Sequence, residues 1–473
     1  MLYVRAGAPY TALMYGGGQE SGLRAGTENM AGVAALGAVL EALDDGASFS
    51  SHAQLSAYRL RLAEALREAL PGIEFNAPFA GSLPTTLNFS VPGFSSRELL
   101  DLFDAAGLRV SGGSACSSAM AAPSYVLEAM QLPQWRCAAA VRLSFGPMAD
   151  AAFIDAACAR IAHCGEALRA SCLIPSAIPG DASDGIVQLS ADGRCSWLVL
   201  DAHSRSCIVI DALAPLAARV ADFIRCQDYQ VRAIVDTGAH GQCGSGRDAL
   251  LALLGGQAVP APGGAALGWP GPGDLISIGR HMLARVAQQD GAHATATYLF
   301  GPGTKDGVLA PTDVAYAFTG PELAPGMAAL VGPHTILCAS SDTGSVPCTT
   351  LVADGMAQVA SARRLDATQL ESFLNTHPDA MLVDVREAFE HAAARSDSWH
   401  GRATHNAPLS RLADRLPAWL QGEPRPLIFF CRSGGRSARA AACLHRLGYQ
   451  NAWHVAGALE LDAASGSKLA VAA

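Results

Sequence analysis

Apolar residues recur at helical spacing in three stretches of the first third of the chain. These stretches are residues 29–43, 54–70 and 150–168. Positions i, i+3, i+4 and i+7 share one face of a helix, so the spacing predicts three amphipathic helices. Shorter apolar runs at 85–93 and 139–146 predict strands between them. The alternation indicates an α/β domain over residues 1–165.

The pattern changes at a stretch rich in Pro, Gly, Ser and Asp, 174–185, which we interpret as part of a linker over 166–190. Residues 191–358 carry short apolar runs typical of strands, such as the pair around a turn at 196–213. From 363 to 473, short apolar runs alternate with helical patterns, which predicts a small, mostly parallel sheet with helices on both faces. The fold class predicted for the whole chain is therefore α/β multidomain.

Composition limits the kinds of partner. Half of the 473 residues are hydrophobic and 16% are charged, which is typical of folded domains. The formal net charge of -9 argues against a surface for nucleic acid or anionic lipid. No apolar run reaches the roughly 20 residues that span a bilayer. We expect small-molecule or protein partners, no nucleic acid and no membrane.

The 13 cysteines show no regular spacing, and the N-terminus lacks the charged and then apolar pattern of a secretory signal. These features predict a reduced, cytoplasmic protein whose thiols are free. Individual cysteines are then available for chemistry.

One cysteine lies where a predicted strand meets a predicted helix. The apolar run 426–430 indicates a buried strand, and the helix predicted over 437–447 ends at Gly448. Cys431 lies at the junction, where unpaired backbone N–H groups and the helix dipole favour an anion and therefore the thiolate. Cys431 is the first candidate catalytic residue.

The rest of this loop supplies candidate substrate-binding groups. They are Arg432, Ser433, Gly434, Gly435, Arg436 and Ser437. The glycines allow several N–H groups to converge on one point, and the arginines would attract an anionic substrate. The spacing is C-x4-R, one residue shorter than the C-x5-R loop of cysteine phosphatases, and it favours a sulfur atom over a phosphoryl group. The alternative is a buried structural cysteine, although a glycine-rich and doubly basic loop packs poorly in a core.

The C-terminal segment resembles the rhodanese family over residues 363–473. The stretch 382–387 (LVDVRE) matches an early strand motif, and 431–437 (CRSGGRS) matches the active loop. The stretch 400–409 is a looser match that lacks the usual Pro-Gly pair. The resemblance implies a sulfurtransferase in which Cys431 takes up sulfane sulfur as a persulfide and passes it to a thiol or cyanide, with no cofactor.

Asp384 and Arg386 lie within the early strand motif. We interpret them as structural support for the active loop. A direct role in the reaction is the alternative, and the sequence leaves both open.

A second candidate nucleophile, Cys116, lies among Gly, Ser and Ala residues at 110–125. A segment without bulky anchors is expected to be mobile, which suits a carrier of sulfur. Taken alone, an incidental thiol in a loop of small residues explains it equally well.

The surrounding motifs favour the carrier. The stretches 16–29, 111–118 and 141–146 occur in the order found in cysteine desulfurases, and residues 1–165 resemble the C-terminal part of that family, a partial pyridoxal-phosphate transferase of fold type I. The resemblance implies that Cys116 forms a persulfide and that Arg142 holds a substrate carboxylate. It also implies that Thr27 binds the phosphate of pyridoxal phosphate across the interface of a homodimer.

Lysine content conflicts with that cofactor. Only Lys305 and Lys468 are lysines, so the first 304 residues cannot form a Schiff base of their own. In the family, the anchoring lysine lies just upstream of a segment like the start of this chain. We expect no independent desulfurase turnover. Such a domain would serve dimerisation or sulfur relay, or would work with a lysine-bearing half on another polypeptide or an upstream sequence.

Residues 234–250 resemble the metal loop of the metallo-β-lactamase superfamily, in particular the persulfide dioxygenases. Thr237, His240 and the pair Ser245 and Gly246 remain. The resemblance implies an αββα sandwich for residues 191–358.

The other ligand positions of that family are altered in this chain. They hold Gly238, Gln242, Cys243, Pro321 and Ser341. A catalytic zinc or iron site needs at least three protein ligands, so we expect no metal and no dioxygenase activity, and a scaffold used for docking or for shaping a pocket. Ligation by Cys243, His293 or His334 is the alternative.

All three resemblances concern sulfane sulfur. The leading hypothesis is a rhodanese-type sulfurtransferase that uses Cys431, with thiosulfate, glutathione persulfide or a persulfide on Cys116 as the donor and with a thiol, cyanide or a sulfur-carrier protein as the acceptor. One alternative is a desulfurase half that needs a lysine-bearing partner. The other is a non-enzymatic platform that binds sulfur-carrier proteins.

Overall fold

The computed structural model describes most of the chain. The described residues are 3–112, 124–176, 178–191, 193–238, 244–255, 268–269, 275–290, 293–303, 309–321, 327–341, 348–349, 363–394, 397–399, 401–455, 459–461 and 469–471. Within them, none of the helices combines the length and the apolar composition of a membrane span.

The N-terminal domain is a three-stranded antiparallel sheet packed against helices. Its strands, in sheet order, are β1 (Glu74–Phe75), β2 (Thr86–Ser90) and β3 (Val141–Ser144). Its helices are α1 (Met30–Asp44), α2 (His52–Ala69), α3 (Ser96–Ala105), α4 (Tyr125–Ala129), α5 (Gln134–Ala138) and α6 (Ala151–Ala170), with a 3-10 helix at Gln19–Gly22. The three long helices predicted from apolar spacing are confirmed as α1, α2 and α6.

Helix α3 is fixed at its start and along one face. A capping box fixes its start: the Ser95 hydroxyl accepts from the Glu98 N–H at 3.2 Å, and the Glu98 carboxylate accepts from the Ser95 N–H at 2.9 Å. Leu99, Leu102 and Phe103 on one face are fully buried in the domain core. Burial of that face fixes which way the remaining side chains of α3 point.

The middle domain contains two sheets. The first has the order β4 (Gly185–Ala191), β5 (Arg194–Asp201), β6 (Ser206–Ile210) and β7 (Gln230–Val235). The second has the order β12 (Ile336–Ala339), β11 (Tyr316–Thr319), β10 (His293–Pro302), β9 (His281–Asp290) and β8 (Leu275–Ile278). Helices α7 (Ala217–Cys226) and α8 (Gly244–Leu254) and the 3-10 helices Ala214–Leu216, Pro311–Asp313 and Met327–Ala329 complete it.

The two sheets pack face to face. Trp197 of β5 meets Phe318 of β11 edge-on, with ring centroids 5.9 Å apart, inside a core shared by both sheets. Helix α7 covers the outer face of the first sheet. This layered sandwich agrees with the fold expected for residues 191–358.

The C-terminal domain is a six-stranded sheet. Its order is β13 (Arg363–Leu365), β18 (Ala452–Val455), β17 (Leu427–Phe430), β14 (Met381–Asp384), β16 (Arg402–Asn406) and β15 (Ser398–Trp399). Its helices are α9 (Ala367–Thr376), α10 (Ala388–Ala393), α11 (Leu412–Gln421) and α12 (Gly435–Arg446), with a 3-10 helix at Leu409–Arg411. A hairpin of β19 (Leu459–Leu461) and β20 (Leu469–Val471) follows. Only β15 runs antiparallel to its neighbour in the six-stranded sheet, so the predicted parallel sheet is confirmed.

The domains pack on one another. Phe389 and Ala393 of α10 are buried in the core of the N-terminal domain, and the carbonyl of Ala393 lies 3.1 Å from His163 Nε2 on α6. On the other side of the C-terminal domain, Cys443 of α12 lies 3.9 Å from Cys348, measured between the sulfur atoms. The C-terminal domain therefore contacts both of its neighbours.

A disulfide corrects the expectation that every thiol is free. Cys172, just after α6, is bonded to Cys226, the last residue of α7, with the two Cα atoms 5.6 Å apart. The bond joins two cysteines that are 54 residues apart in sequence. Nine other cysteines of the described residues are free thiols.

The predicted domain boundaries stay a prediction. Helix α6 runs to Ala170, and β4 begins at Gly185, so both elements extend into the stretch 166–190 that was assigned to the linker.

Candidate active site

The Cys431 sulfur accepts hydrogen bonds from two backbone N–H groups. Cys431 follows the last residue of β17, and α12 begins four residues later at Gly435. Its Sγ accepts from the N–H of Gly434 at 3.2 Å and from the N–H of Ser437 at 3.4 Å. Gly434 has φ +89°, a left-handed conformation that turns its N–H inward and that other residues rarely adopt. Two N–H dipoles directed at one sulfur stabilise negative charge there.

The Ser437 side chain lies beside the Cys431 sulfur at the start of α12. Its hydroxyl donates to the carbonyl of Gly434 at 3.0 Å and lies 3.6 Å from Sγ. Cys431 is only 2% exposed. In this arrangement the thiol is shielded from solvent.

The two loop arginines are occupied by carboxylates. Arg432 donates from Nη1 to Asp101 Oδ1 at 2.8 Å and from Nε to Asp104 Oδ2 at 2.5 Å. Arg436 donates from Nη2 to Glu390 Oε1 at 2.8 Å and lies 3.6 Å from Asp101 Oδ2. These arginines, which are predicted to attract an anionic substrate, already contact carboxylates in this arrangement, because α3 of the N-terminal domain lies against the loop.

The electrostatics follow from these contacts. Burial lowers the pKa of Arg436, but the hydrogen bond and the charge of Glu390, together with the charge of Asp101, outweigh burial and raise it above its ordinary value. Arg436 is therefore a permanent cation in this arrangement.

Asp384 and Arg386 form a buried ion pair at the end of β14. Arg386 Nη2 donates to Asp384 Oδ2 at 2.7 Å and to the carbonyl of Ala394 at 3.1 Å. His391 Nδ1 lies 3.1 Å from the same carboxylate. Burial raises the pKa of Asp384, but the charge of Arg386 and these hydrogen bonds lower it overall. The pair ties β14 to α10, which fits the interpretation as structural support.

A polar pocket opens between α3 and the loop. Its lining includes Asp101, Asp104, Arg109, Arg386, Glu390 and Arg432. Both domains contribute to it. Neither Asp101 nor Asp104 was predicted from the sequence. Their three-residue spacing is compatible with one helix face, but nothing in the sequence indicates the partner of that face.

The N-terminal site residues are placed less completely. Cys116 lies outside the described residues. Arg142 on β3 is exposed, and its backbone exchanges hydrogen bonds of 2.7 and 3.0 Å with Ser111. Thr27 is exposed ahead of α1, and its carbonyl accepts from Arg24 at 3.1 Å.

Pyridoxal phosphate does not fit the residues of this segment. A Schiff base needs a primary amine, and residues 1–304 contain no lysine. Lys305 and Lys468 lie outside the described residues. We therefore derive no step through this cofactor.

The middle domain retains a polar contact at the expected metal loop. Thr237 donates to Asp211 Oδ1 from its N–H at 2.8 Å and from its hydroxyl at 3.0 Å. The pKa of Asp211 is raised to about 7, mainly because the carboxyl group is buried. The charge of Asp236 also raises this pKa, whereas the hydrogen bonds from Thr237 lower it. Asp211 was not among the site residues predicted from the sequence.

The other positions of the expected metal site are only partly described. His240, Gln242 and Cys243 lie outside the described residues. Pro321 and His334 are exposed, and Ser341 pairs in an isolated bridge with Arg194. In the part of the chain that the structure describes, no group of three or more His, Cys, Asp or Glu could hold a metal ion.

Two families match separate parts of the chain. Residues 11–156 match "Aminotransferase class-V", and residues 366–462 match "Rhodanese-like domain". The chain therefore contains a class-V aminotransferase segment and a rhodanese-like domain, as expected from the sequence.

Curated relatives of the first segment are cysteine desulfurases. The cysteine desulfurase IscS of Clostridium botulinum is 37% identical over 147 residues, which cover 31% of this chain and 37% of the relative. The cysteine desulfurase of Bradyrhizobium diazoefficiens is 35% identical over 177 residues, which cover 36% of this chain and 43% of the relative. The chain thus spans less than half the length of these relatives.

Solved structures show similar partial matches. A NifS-like protein is 29% identical, with a TM-score of 0.27, and the match covers 34% of this chain and 40% of that one. ETHE1 from Myxococcus xanthus is 17% identical, with a TM-score of 0.26, and the match covers 35% of this chain and 79% of that one. These structural scores are too low to support an argument about function.

Proposed function

We propose that this chain, through its rhodanese-like domain, is a sulfurtransferase that carries sulfane sulfur as a persulfide on Cys431 and delivers it to a thiol or cyanide. The observation that carries the proposal is the pair of backbone N–H groups, from Gly434 and Ser437, directed at the Cys431 sulfur. These donors stabilise the thiolate that attacks and the persulfide anion that results.

The transfer has two steps of the same kind. The Cys431 thiolate attacks the outer sulfur of the donor, the S–S bond of the donor breaks, and its electron pair leaves with the donor thiolate or with sulfite. The acceptor then attacks the outer sulfur of the Cys431 persulfide and regenerates the thiolate. No net oxidation or reduction occurs, and no cofactor takes part.

The N-terminal segment is proposed to supply sulfur or to dimerise. Cys116 as a persulfide carrier and Arg142 as a carboxylate-binding group stay proposals. The phosphate-binding role implied for Thr27 would apply only with a lysine-bearing partner, because free-standing desulfurase turnover is not expected without a lysine in this segment. A sulfur-carrier protein as acceptor, a homodimer and a cytoplasmic setting belong to the same proposal.

The test is a comparison of the C431A and C158S variants with the wild-type chain. Each protein is incubated with thiosulfate or with glutathione persulfide, and peptide mass spectrometry scores an added sulfur on Cys431 and on Cys116. We expect C431A to lose transfer by at least about a thousandfold, as expected for removal of a nucleophile. C158S changes a free thiol on α6 outside the loop and serves as the matched control.

The outcomes separate the alternatives. Sulfur on Cys431 alone indicates a rhodanese reaction without relay, and sulfur on both cysteines supports a relay from Cys116. A folded wild-type chain that takes up sulfur on neither cysteine overturns the proposal in favour of a docking platform. Absorbance of an internal aldimine that appears only when a lysine-bearing partner is added would favour the desulfurase half.

A further inference from the structure

Helix α3 presents two carboxylates to the active loop of another domain. Asp101 and Asp104 are three residues apart and therefore share a face of the helix. Their side chains are only 5% and 11% exposed, because the C-terminal domain covers them. The capping box at Ser95 and the buried face of α3 hold the helix in this orientation.

Arg432 is the loop residue that these carboxylates engage most fully. Both ion pairs that Arg432 makes in the described part of the chain are with α3, one to each carboxylate. Arg97 of the same helix adds a hydrogen bond of 3.3 Å to the Ser433 hydroxyl. The helix therefore contacts two consecutive residues that follow the nucleophile.

Arg436 has a different balance of partners. Its closest carboxylate is Glu390 of its own domain, and Asp101 lies 3.6 Å away on its other side. With α3 in place, the guanidinium of Arg432 is occupied by Asp101 and Asp104, which also pair with Arg97 and Arg109. A donor anion that approaches Cys431 then finds this guanidinium already paired, where the loop alone would offer it free.

We propose that Asp101 and Asp104 determine the donor specificity of the Cys431 loop by excluding free sulfur oxyanions. The class of donor that the loop then accepts is a persulfide on an organic thiol. This inference rests on the proposed function of Cys431 and names the substrate class of that site.

The favoured reaction needs no anion site beside the nucleophile. The Cys431 thiolate attacks the outer sulfur of R–S–SH, the S–S bond breaks, and R–S⁻ leaves, which gives Cys431–S–SH with charge and atoms conserved. With thiosulfate, the same attack must bring a dianion beside Arg432 and release sulfite. The free energy of that encounter is raised because the guanidinium that would receive the negative charge is already paired with Asp101 and Asp104.

The test compares two donors in the full chain. Thiosulfate is the oxyanion, and the persulfide of 2-mercaptoethanol is the donor whose organic part is uncharged. D101N/D104N keeps the shape of both side chains and removes the charge. D155N removes the charge of an exposed aspartate of the same domain that pairs with Arg61 away from the loop, and it is the matched control. D104N alone tests the same point if the double variant does not fold.

We expect kcat/KM with thiosulfate to rise about tenfold in D101N/D104N, mainly through KM, because the guanidinium of Arg432 is no longer neutralised and can bind the dianion. With the persulfide we expect a change within about twofold, and in D155N no change with either donor. A fall with both donors would show that the aspartates position the arginines for transfer and would overturn the inference. An equal rise with both would overturn it as well, since charge would not be discriminated.

C431A separates this inference from the function on which it rests. Loss of transfer in C431A together with an unchanged thiosulfate rate in D101N/D104N would refute donor selection and leave the sulfurtransferase intact. Retained transfer in C431A would refute the sulfurtransferase itself.

Discussion

At the scale of single residues, position within the backbone decides chemistry more than residue type does. Cys431 and Cys443 are both buried thiols of the C-terminal domain, but only the sulfur of Cys431 receives two backbone N–H groups. Cys443 instead packs near Cys348 and donates to its carbonyl at 3.5 Å. The loop at the start of α12 therefore distinguishes a candidate nucleophile from a core residue.

Asp211 gives a prediction about pH and stability. Its folded-state pKa of about 7 lies above the usual 3.8, so the folded protein holds a proton that the unfolded chain releases. The stability contributed by the protonated form is fully present below about pH 4 and is lost as the pH rises through 7. D211N, which stays neutral, should exceed the wild type in free energy of unfolding by up to about 4 kcal/mol at pH 8.5 and by little at pH 4.

Denaturant unfolding of both proteins across this pH range measures the difference. D155N, at an exposed position of α6, is the control and should show no such pH dependence. A D211N difference that stays constant from pH 4 to pH 8.5 would contradict the raised pKa.

At the scale of elements, the distance between neighbouring helices decides which helical glycines can be replaced by a residue with a side chain. A Cβ on Gly165 of α6 would lie 2.8 Å from the Cα and 2.9 Å from the carbonyl oxygen of Ala69 on α2. Backbone atoms cannot rotate away from such a contact. Gly37 inside α1 meets nothing within 4 Å. The two glycines therefore differ in role although both are helical.

We predict opposite effects of alanine at these two sites. G165A should destabilise the N-terminal domain by about 1 to 3 kcal/mol through overpacking. G37A should stabilise it by about 0.5 to 1 kcal/mol, because alanine restricts the unfolded chain and favours a helix. Chemical denaturation measures both. A G165A variant as stable as G37A would show that α2 and α6 do not cross as closely as described.

At the scale of the whole molecule, the three domains are joined by more than chain connectivity. The disulfide Cys172–Cys226 links the end of α6 to the end of α7, and Gly180 packs against it, since a Cβ there would lie 2.4 Å from the Cys172 sulfur. Helix α10 of the C-terminal domain inserts Phe389 into the N-terminal core. The loop of one domain and α3 of another are thereby held in contact.

Removal of the disulfide should lower stability measurably. Closing a loop of 54 residues stabilises a protein by about 4 kcal/mol on the chain-entropy account. C172S/C226S should therefore unfold at a lower temperature than the wild type, and reductant should lower the unfolding temperature of the wild type only. C158S is the control at a free thiol. Alkylation of both Cys172 and Cys226 in the folded, unreduced protein would contradict the bond.

The sequence by itself predicted the long helices α1, α2 and α6 and the position of the candidate loop between β17 and α12, because these depend on local spacing. Apolar periodicity located α2 and α6, and the run before Cys431 located β17. The converging N–H groups follow from glycines between a strand and a helix, which is a local feature as well.

Only the tertiary structure decided what surrounds that loop. The pairing of Arg432 with Asp101 joins residues 331 positions apart, and the disulfide joins two that are 54 apart. No helix was predicted over Ser96–Ala105, and the apolar spacing of a helix specifies only the face buried in its own domain, not the surface that covers the other face. Contacts between domains depend on how complete surfaces fit, so the carboxylates that oppose the loop arginines could not be found from the order of residues alone.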